Sequence, residues 1–319
     1  MARSSGPSGS MVVTLFGECF ADGHPTDGME RACSTRFAPM ADGGFLRVRG
    51  ECNLQGKRWE GEFVLSTESL AEHVVEVLGV RFHRTTSAEA IELMLHWIAE
   101  KSRRMVITAG PEFVMKSQEV PEVLKISRAA DLVTADGIGV VWAAARMGRP
   151  VPERVTGVEL VLELLKEAIR RNQTLRVYLL GSSLPSLEAC LAVLRRDFPM
   201  HQFAGRDGYF PTTEMPHVME AIADFAPDVW LVGMGQPRQE QVIYQWLSQL
   251  PPCVALGVGG SFDVWGGTVP RAPQIFRKLN VEWLYRLLRE PSRIRRQTAL
   301  PRFAWRVVRQ NQSYAPHKR

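Results

Sequence analysis

Cysteine is scarce in this 319-residue chain, and its five copies, Cys19, Cys33, Cys52, Cys190 and Cys253, are scattered without a Cys-x-x-Cys pair. No histidine stands at a spacing suited to a shared metal, so neither a disulfide framework nor a zinc site is indicated, and a reducing cytosol is favoured. Long apolar runs are also lacking: no stretch reaches the ~18 consecutive apolar residues of a membrane span. The amino terminus has no charged start followed by an apolar core, so any membrane contact is expected to be peripheral. There is no fixed-period repeat, no Gly-x-Ser-x-Gly elbow, no Walker A loop and no Asp-x-Asp pair. If a nucleoside diphosphate leaves from a site in this chain, arginines and backbone N–H groups must meet its charge without a protein-held divalent cation.

What is present is ordinary globular composition, 45% hydrophobic and 23% charged, enough for one large domain or two smaller ones. The net charge of +5 is unevenly spread. Residues 277–319 carry twelve Lys or Arg against Glu282 and Glu290, a local +10, so residues 1–276 sum to −5. The basic character belongs to the tail.

Residues 1–10 (MARSSGPSGS) are rich in Ser, Gly and Pro and are expected to be disordered. Up to about Leu65 the pattern is poor. Alternation in Phe45, Leu46 and Val48, then in Trp59, Phe63 and Val64, allows a short hairpin, and residues 1–73 read as a weakly ordered extension. From Val74 the text becomes regular. A strand is expected over Val74–Phe82 and a helix from Ser87 to about Lys101. Strands then recur at Met105–Thr108, Asp131–Thr134, Leu175–Gly181, His201–Ala204, Asp228–Gly233 and Cys253–Gly257. Helices fill the gaps at Glu112–Ser117, Pro121–Ala129, Gly139–Met147, Val158–Arg171, Pro185–Asp197, Thr213–Phe225 and Gln236–Gln249. Such alternation predicts an α/β fold over 74–272, a Rossmann-like, mostly parallel sheet flanked by helices, with ligands outside the carboxyl ends of the strands. A helical basic appendage, 273–319, follows.

Four strand ends carry chemistry. Thr108 offers a hydroxyl at a turn, or caps the helix at Glu112. Asp136, beside Gly137 and Gly139 at a helix start, is a carboxylate where α/β proteins hold phosphates, which suggests a base; Asp-Gly is also a common turn and Asp a common N-cap. Gly233-Met234-Gly235-Gln236 leads an apolar strand into a polar helix start, where backbone N–H groups face an anion and Gln236 and Gln239 can read a base or sugar edge. The run Gly257-x-Gly259-Gly260, continuing to Asp263, has Phe262 where the dinucleotide fingerprint needs its third glycine, so it is weak evidence for NAD and equally suits a tight packing turn.

Taken together and in order, Asp136-Gly137-Ile138-Gly139-Val140-Val141-Trp142, Glu153-Arg154-Val155-Thr156-Gly157, Pro237-Arg238-Gln239-Glu240, Gly257-Val258-Gly259-Gly260-Ser261-Phe262-Asp263, Arg271-Ala272-Pro273 and Glu282-Trp283-Leu284-Tyr285-Arg286-Leu287 resemble the WecG/TagA/CpsF glycosyltransferases. The likeness runs from about Val74 to about Arg309. It implies inverting, metal-independent transfer of a sugar, N-acetylmannosamine-type or another hexose, from a UDP-sugar to a polyprenyl-diphosphate-linked saccharide on the cytoplasmic membrane face, with no cofactor. It makes Asp136 the candidate base, and Thr108, Arg154 and Gln239 site residues; Thr156, Gln236, Gly257, Gly259, Gly260 and Asp263 complete the expected substrate-binding set. One departure stands out: Gly110 occupies the place where the family usually has Asn. Two other readings compete, a catalytically silent UDP-sugar-binding or scaffolding protein and a nucleotide-dependent oxidoreductase.

In the tail, Leu279, Trp283 and Leu287 fall on one helical face, and Arg286, Arg289, Arg293 and Arg296 on another, with Pro291 expected to interrupt the helix. A second segment sets Phe303 and Val307 against Arg302, Arg306 and Arg309. Basic amphipathic segments with Trp suit an anionic membrane surface, at roughly 1 kcal/mol per basic residue. A solvated or homo-oligomeric face is the second reading, and nucleic acid the last, since no nucleic-acid fold is recognisable. The resemblance adds that arginines of this appendage meet the diphosphate.

Overall fold

The computed structural model describes residues 11–12, 34–39, 46–54, 57–65, 73–269 and 299–314. The chain divides into two compact units, Met1–His73 and Val74–Arg319. In the first, β1 (Met11–Val12), β2 (Ser34–Pro39), β3 (Leu46–Leu54) and β4 (Lys57–Leu65) form an antiparallel sheet in sequence order. The expected hairpin is there, with Val48 opposite Phe63 and Cys52 opposite Trp59. It belongs to a four-stranded sheet, where the sequence suggested a weakly ordered extension; Gly50, Cys52 and Asn53 dilute the alternation that would have shown the full length of β3. Residues 1–10 lie outside the described residues.

The second unit opens with a hairpin, β5 (Val74–Val77) and β6 (Val80–His83). The single strand expected over Val74–Phe82 is therefore corrected. Leu78 (φ 49°) and Gly79 (φ 82°) both take left-handed backbone, as a two-residue hairpin turn requires, and a leucine at the turn let the apolar pattern run straight through it. His83 Nδ1 accepts the N–H of Val133, so the hairpin covers the edge of the main sheet.

That sheet has six parallel strands: β7 (Arg104–Ala109), β8 (Leu132–Ala135), β9 (Arg176–Gly181), β10 (Gln202–Arg206), β11 (Val229–Gly233) and β12 (Val254–Gly257). Their order is β10-β9-β11-β12-β7-β8. The helices between and around them are α1 (Ser87–Ala99), α2 (Pro111–Glu119), α3 (Pro121–Ala129), α4 (Ile138–Arg146), α5 (Gly157–Arg170), α6 (Leu184–Asp197), α7 (Met215–Phe225), α8 (Arg238–Trp246), α9 (Ser261–Trp265) and α10 (Ala299–Tyr314).

Period-two alternation in the strands divides the core in two. Met105, Ile107, Val133, Tyr178, Leu180, Trp230, Val232 and Ala255 face a layer built from α2, α3, α4, α7, α8 and α10. Val106, Leu132, Val177, Leu179, Val229, Leu231, Val254 and Leu256 face α1, α5, α6 and α9. Strands buried on both faces read as continuous apolar runs, which is why the sequence located them. The helix expected to begin at Gln236 begins at Arg238, after Pro237. The basic helix α10 buries Phe303 and Val307 in the first layer, beside α2 and α4, and Gln310 Oε1 accepts the N–H of Leu78 at 3.1 Å. It is thus part of the domain's own core.

Candidate functional site

The carboxyl ends of the parallel strands meet along one edge, and the chemistry lies there. β7 and β8 run in register to Ala109 and Ala135, after which the N–H of Asp136 donates to Ala109 O at 2.9 Å. The half-buried Asp136 therefore stands one residue past the ladder. Gly137 (φ 131°), not Asp136, is the N-cap of α4. A second link brings in the neighbouring loop: Val155 N–H donates to Ala135 O at 3.0 Å and Thr134 Oγ1 donates to Val155 O at 3.2 Å. Arg154, adjacent in sequence, is held half-buried at the same mouth, and it makes no hydrogen bond or ion pair with the described residues.

Thr108 and Thr156 are both buried, with different employment. Thr156 caps α5, its hydroxyl accepting the N–H of Glu159 at 3.3 Å and donating to Glu159 Oε2 at 3.1 Å. Thr108 is no cap, since Gly110 holds that place for α2. Its hydroxyl lies against the start of α5, 3.1 Å from where a Cβ on Gly157 would stand. Its carbonyl accepts Gln236 Nε2 at 3.0 Å.

On the other side of β7, the turn after β12 is built by side chains from α8. Gln239 Oε1 accepts the N–H of Gly259 at 2.9 Å, and Gln239 Nε2 donates to Glu240 Oε1 at 2.7 Å. Gln236 Nε2 reaches the same Glu240 oxygen at 3.3 Å. A Cβ on Gly257 would lie 2.5 Å from Gln239 Nε2 and would displace that amide. Gly259 (φ 53°) is open on its Cα side, and Gly260 is exposed. Asp263 Oδ1 accepts Ser182 Oγ at 2.8 Å, and Ser182 N–H donates to Gly233 O at 3.0 Å, so the ends of β9, β11 and β12 are tied together. Gly257 thus packs tightly, and the N–H of Gly259 is taken by Gln239.

Glu240 is not among the site residues expected from the sequence, although its motif is. Burial pushes its carboxyl up to about 7, while hydrogen bonds from Gln239 and Gln236 pull the other way. Ser182 is not among the expected site residues either; only its place after Gly181 at a strand end could have marked it.

Arg286, Arg289, Arg293 and Arg296 lie outside the described residues, as do Leu279, Trp283, Leu287 and Pro291. In α10 the expected sides are seen: Phe303 and Val307 are buried, Arg302 and Arg309 exposed and Arg306 half-buried. Trp305 is 58% exposed with the Arg309 guanidinium 4.4 Å from its ring centre. Among the described residues no helix is long and apolar enough to cross a membrane, and no group of three or more His, Cys, Asp or Glu is gathered as for a metal ion.

Comparison with known proteins shows the family. Residues 75–316 match the glycosyl transferase WecG/TagA/CpsF family. An N-acetylglucosaminyldiphosphoundecaprenol N-acetyl-beta-D-mannosaminyltransferase of Staphylococcus aureus (strain MW2) is 38% identical over 237 residues, 74% of this chain and 92% of that protein. The enzymes of the same name from strains NCTC 8325 / PS 47 and COL match to the same extent, 38% over 237 residues. The family match takes in all of the described strand ends of the parallel sheet, and this chain belongs to the WecG/TagA/CpsF glycosyltransferase family.

Proposed function

We propose that this glycosyltransferase moves a hexose, N-acetylmannosamine or a close analogue, from a UDP-sugar to a polyprenyl-diphosphate-linked saccharide, with inversion and without a metal ion. The acceptor class follows the names of the Staphylococcus aureus relatives, which this chain covers over 92% of their length. The observation that carries the reading is the shared mouth of β7 and β8. Backbone bonds from Asp136 to Ala109 and from Val155 to Ala135 bring the two residues Asp136 and Arg154 to neighbouring positions at one strand end, which supports a base and a cation acting together there.

In the reaction the acceptor hydroxyl oxygen attacks the anomeric carbon, and its proton passes to the Asp136 carboxylate. The bond from that carbon to the β-phosphate oxygen breaks, and UDP leaves with the electron pair. One displacement inverts the anomeric centre. A general base contributes typically ~10²–10⁴-fold. Arg154 meets the charge that grows on the diphosphate, in a role that a guanidinium's fixed fork of donors suits. Thr108, Gln236 and the Gly259-Gly260 turn line the donor side, with Thr156 and Asp263 holding the walls.

The acceptor is a lipid, and α10 offers the means of reaching it: Trp305 and Arg309 outward, Phe303 and Val307 inward, beside the helix that follows Asp136. The enzyme then works peripherally on the cytoplasmic face of the membrane, held by anionic lipid. Transfer is tested with UDP-N-acetylmannosamine and a short-chain polyprenyl-diphosphate-N-acetylglucosamine. UDP release that requires the acceptor supports the reading; donor binding without release supports a silent binding protein.

A further inference from the structure

Within Pro237–Glu240 the reaction described above leaves the glutamate unexplained. Glu240 is 1% exposed, and its Oε2 is buried with no hydrogen-bond partner. An apolar side chain of similar volume would fill the space without the cost of desolvating a carboxylate. What it would lack is an acceptor, and Glu240 Oε1 accepts two amides at once, from Gln239 at 2.7 Å and from Gln236 at 3.3 Å.

We propose that Glu240 is a positioning residue whose buried carboxyl orients Gln239 and Gln236 and thereby sets the donor-side turn at Gly257–Gly260. The proposal rests on the transfer reaction proposed above. A glutamine amide presents a donor at one end and an acceptor at the other, and something must choose between its two orientations. Here the choice is made at both ends of Gln239: the N–H of Gly259 requires the carbonyl oxygen, and Glu240 Oε1, which accepts in this contact, requires the NH2. Gln236 spends its two N–H groups on Thr108 O and the same Glu240 oxygen, which joins the end of β7 to the turn after β12. Gly257 closes the cluster, since a Cβ there would lie 2.9 Å from Glu240 Oε1.

No described charged side chain competes for this carboxyl. From α3, Glu122 accepts from Gln241 and Lys125 lies over the Tyr244 ring, and no ion pair reaches Glu240 from β7, β11 or β12.

The test compares Glu240→Ala and Glu240→Gln in the full chain, reading KM for UDP-N-acetylmannosamine, KM for the lipid-linked acceptor, and hydrogen exchange of the Gly259 amide. Glu240→Ala is expected to raise the donor KM at least tenfold, to leave the acceptor KM within twofold, and to speed exchange at Gly259. Glu240→Gln keeps an acceptor oxygen in place and is expected to restore donor KM and exchange to near wild-type values. Loss of folded enzyme alone would lower kcat with both KM values unchanged; that result, or unchanged exchange at Gly259 in Glu240→Ala, overturns the proposal. If the wild-type protein transfers no sugar at all, the proposed reaction fails by itself, and Gly259 exchange still decides the role of Glu240.

Discussion

A Cβ placed on Gly110 would stand 2.7 Å from the backbone carbonyl of Asp136. Gly110 has ordinary backbone angles, φ −100° and ψ −179°, so its side chain is excluded by contact alone. The backbone of the residue proposed as base therefore rests against a glycine. Gly110→Ala must push the β8 end outward, at about 1–3 kcal/mol for overpacking. Turnover is expected to fall at least tenfold while donor affinity holds. Thermal unfolding together with UDP-sugar titration checks both halves.

Glu240 gives a pH signature. Its folded carboxyl is raised from 4.5 to about 7, so the native state holds a proton that the unfolded chain releases between those values. The stabilisation is whole below 4.5 and is lost as pH rises through 7. A shift of this size amounts to about 3 kcal/mol. His83, held low by burial, loses stability in the opposite direction, as pH falls below its ordinary 6.5. Denaturant unfolding of wild type and Glu240→Gln over pH 4.5–8 cancels the His83 part, and the difference between them should fall with rising pH.

Helix α10 is a structural member as well as a candidate membrane contact. Phe303, 1% exposed, packs in the core layer near Gly139 and Pro111. Phe303→Ala is expected to cost about 3–5 kcal/mol in unfolding free energy. Trp305→Ala, on the exposed side, should leave stability within about 0.5 kcal/mol while weakening sedimentation with anionic vesicles. Truncation before α10 confounds the two roles, and the paired substitutions separate them.

If arginine and backbone groups carry the departing charge, a chelator leaves the rate unchanged. Arg154→Ala, in contrast, should cost at least tenfold in kcat/KM for the donor. Steady-state UDP release with and without EDTA measures the first, and a rate restored only by added magnesium would contradict it.

The parallel strands were legible because burial on both faces makes them apolar throughout, and the helices because Pro111, Pro121 and Thr156 mark their starts. The β5–β6 turn was hidden because Leu78 does the work usually given to Asn or Gly. Of the residues proposed for the reaction, Asp136 stood out from its place at a helix start and Arg154 from the motif that carries the family resemblance. The contact under Asp136 did not, since it joins Gly110 to a backbone oxygen 26 positions on in the sequence. Glu240 escaped for a similar reason: its importance lies in two amides and a glycine turn that only the fold brings to it.

The central claim is that Asp136 takes the acceptor's proton. Asp136→Asn keeps the shape and removes the base. The account predicts that single-turnover transfer from UDP-N-acetylmannosamine falls by ~10²–10⁴-fold while the donor dissociation constant stays within threefold of wild type. Transfer at near wild-type rate by Asp136→Asn would contradict it.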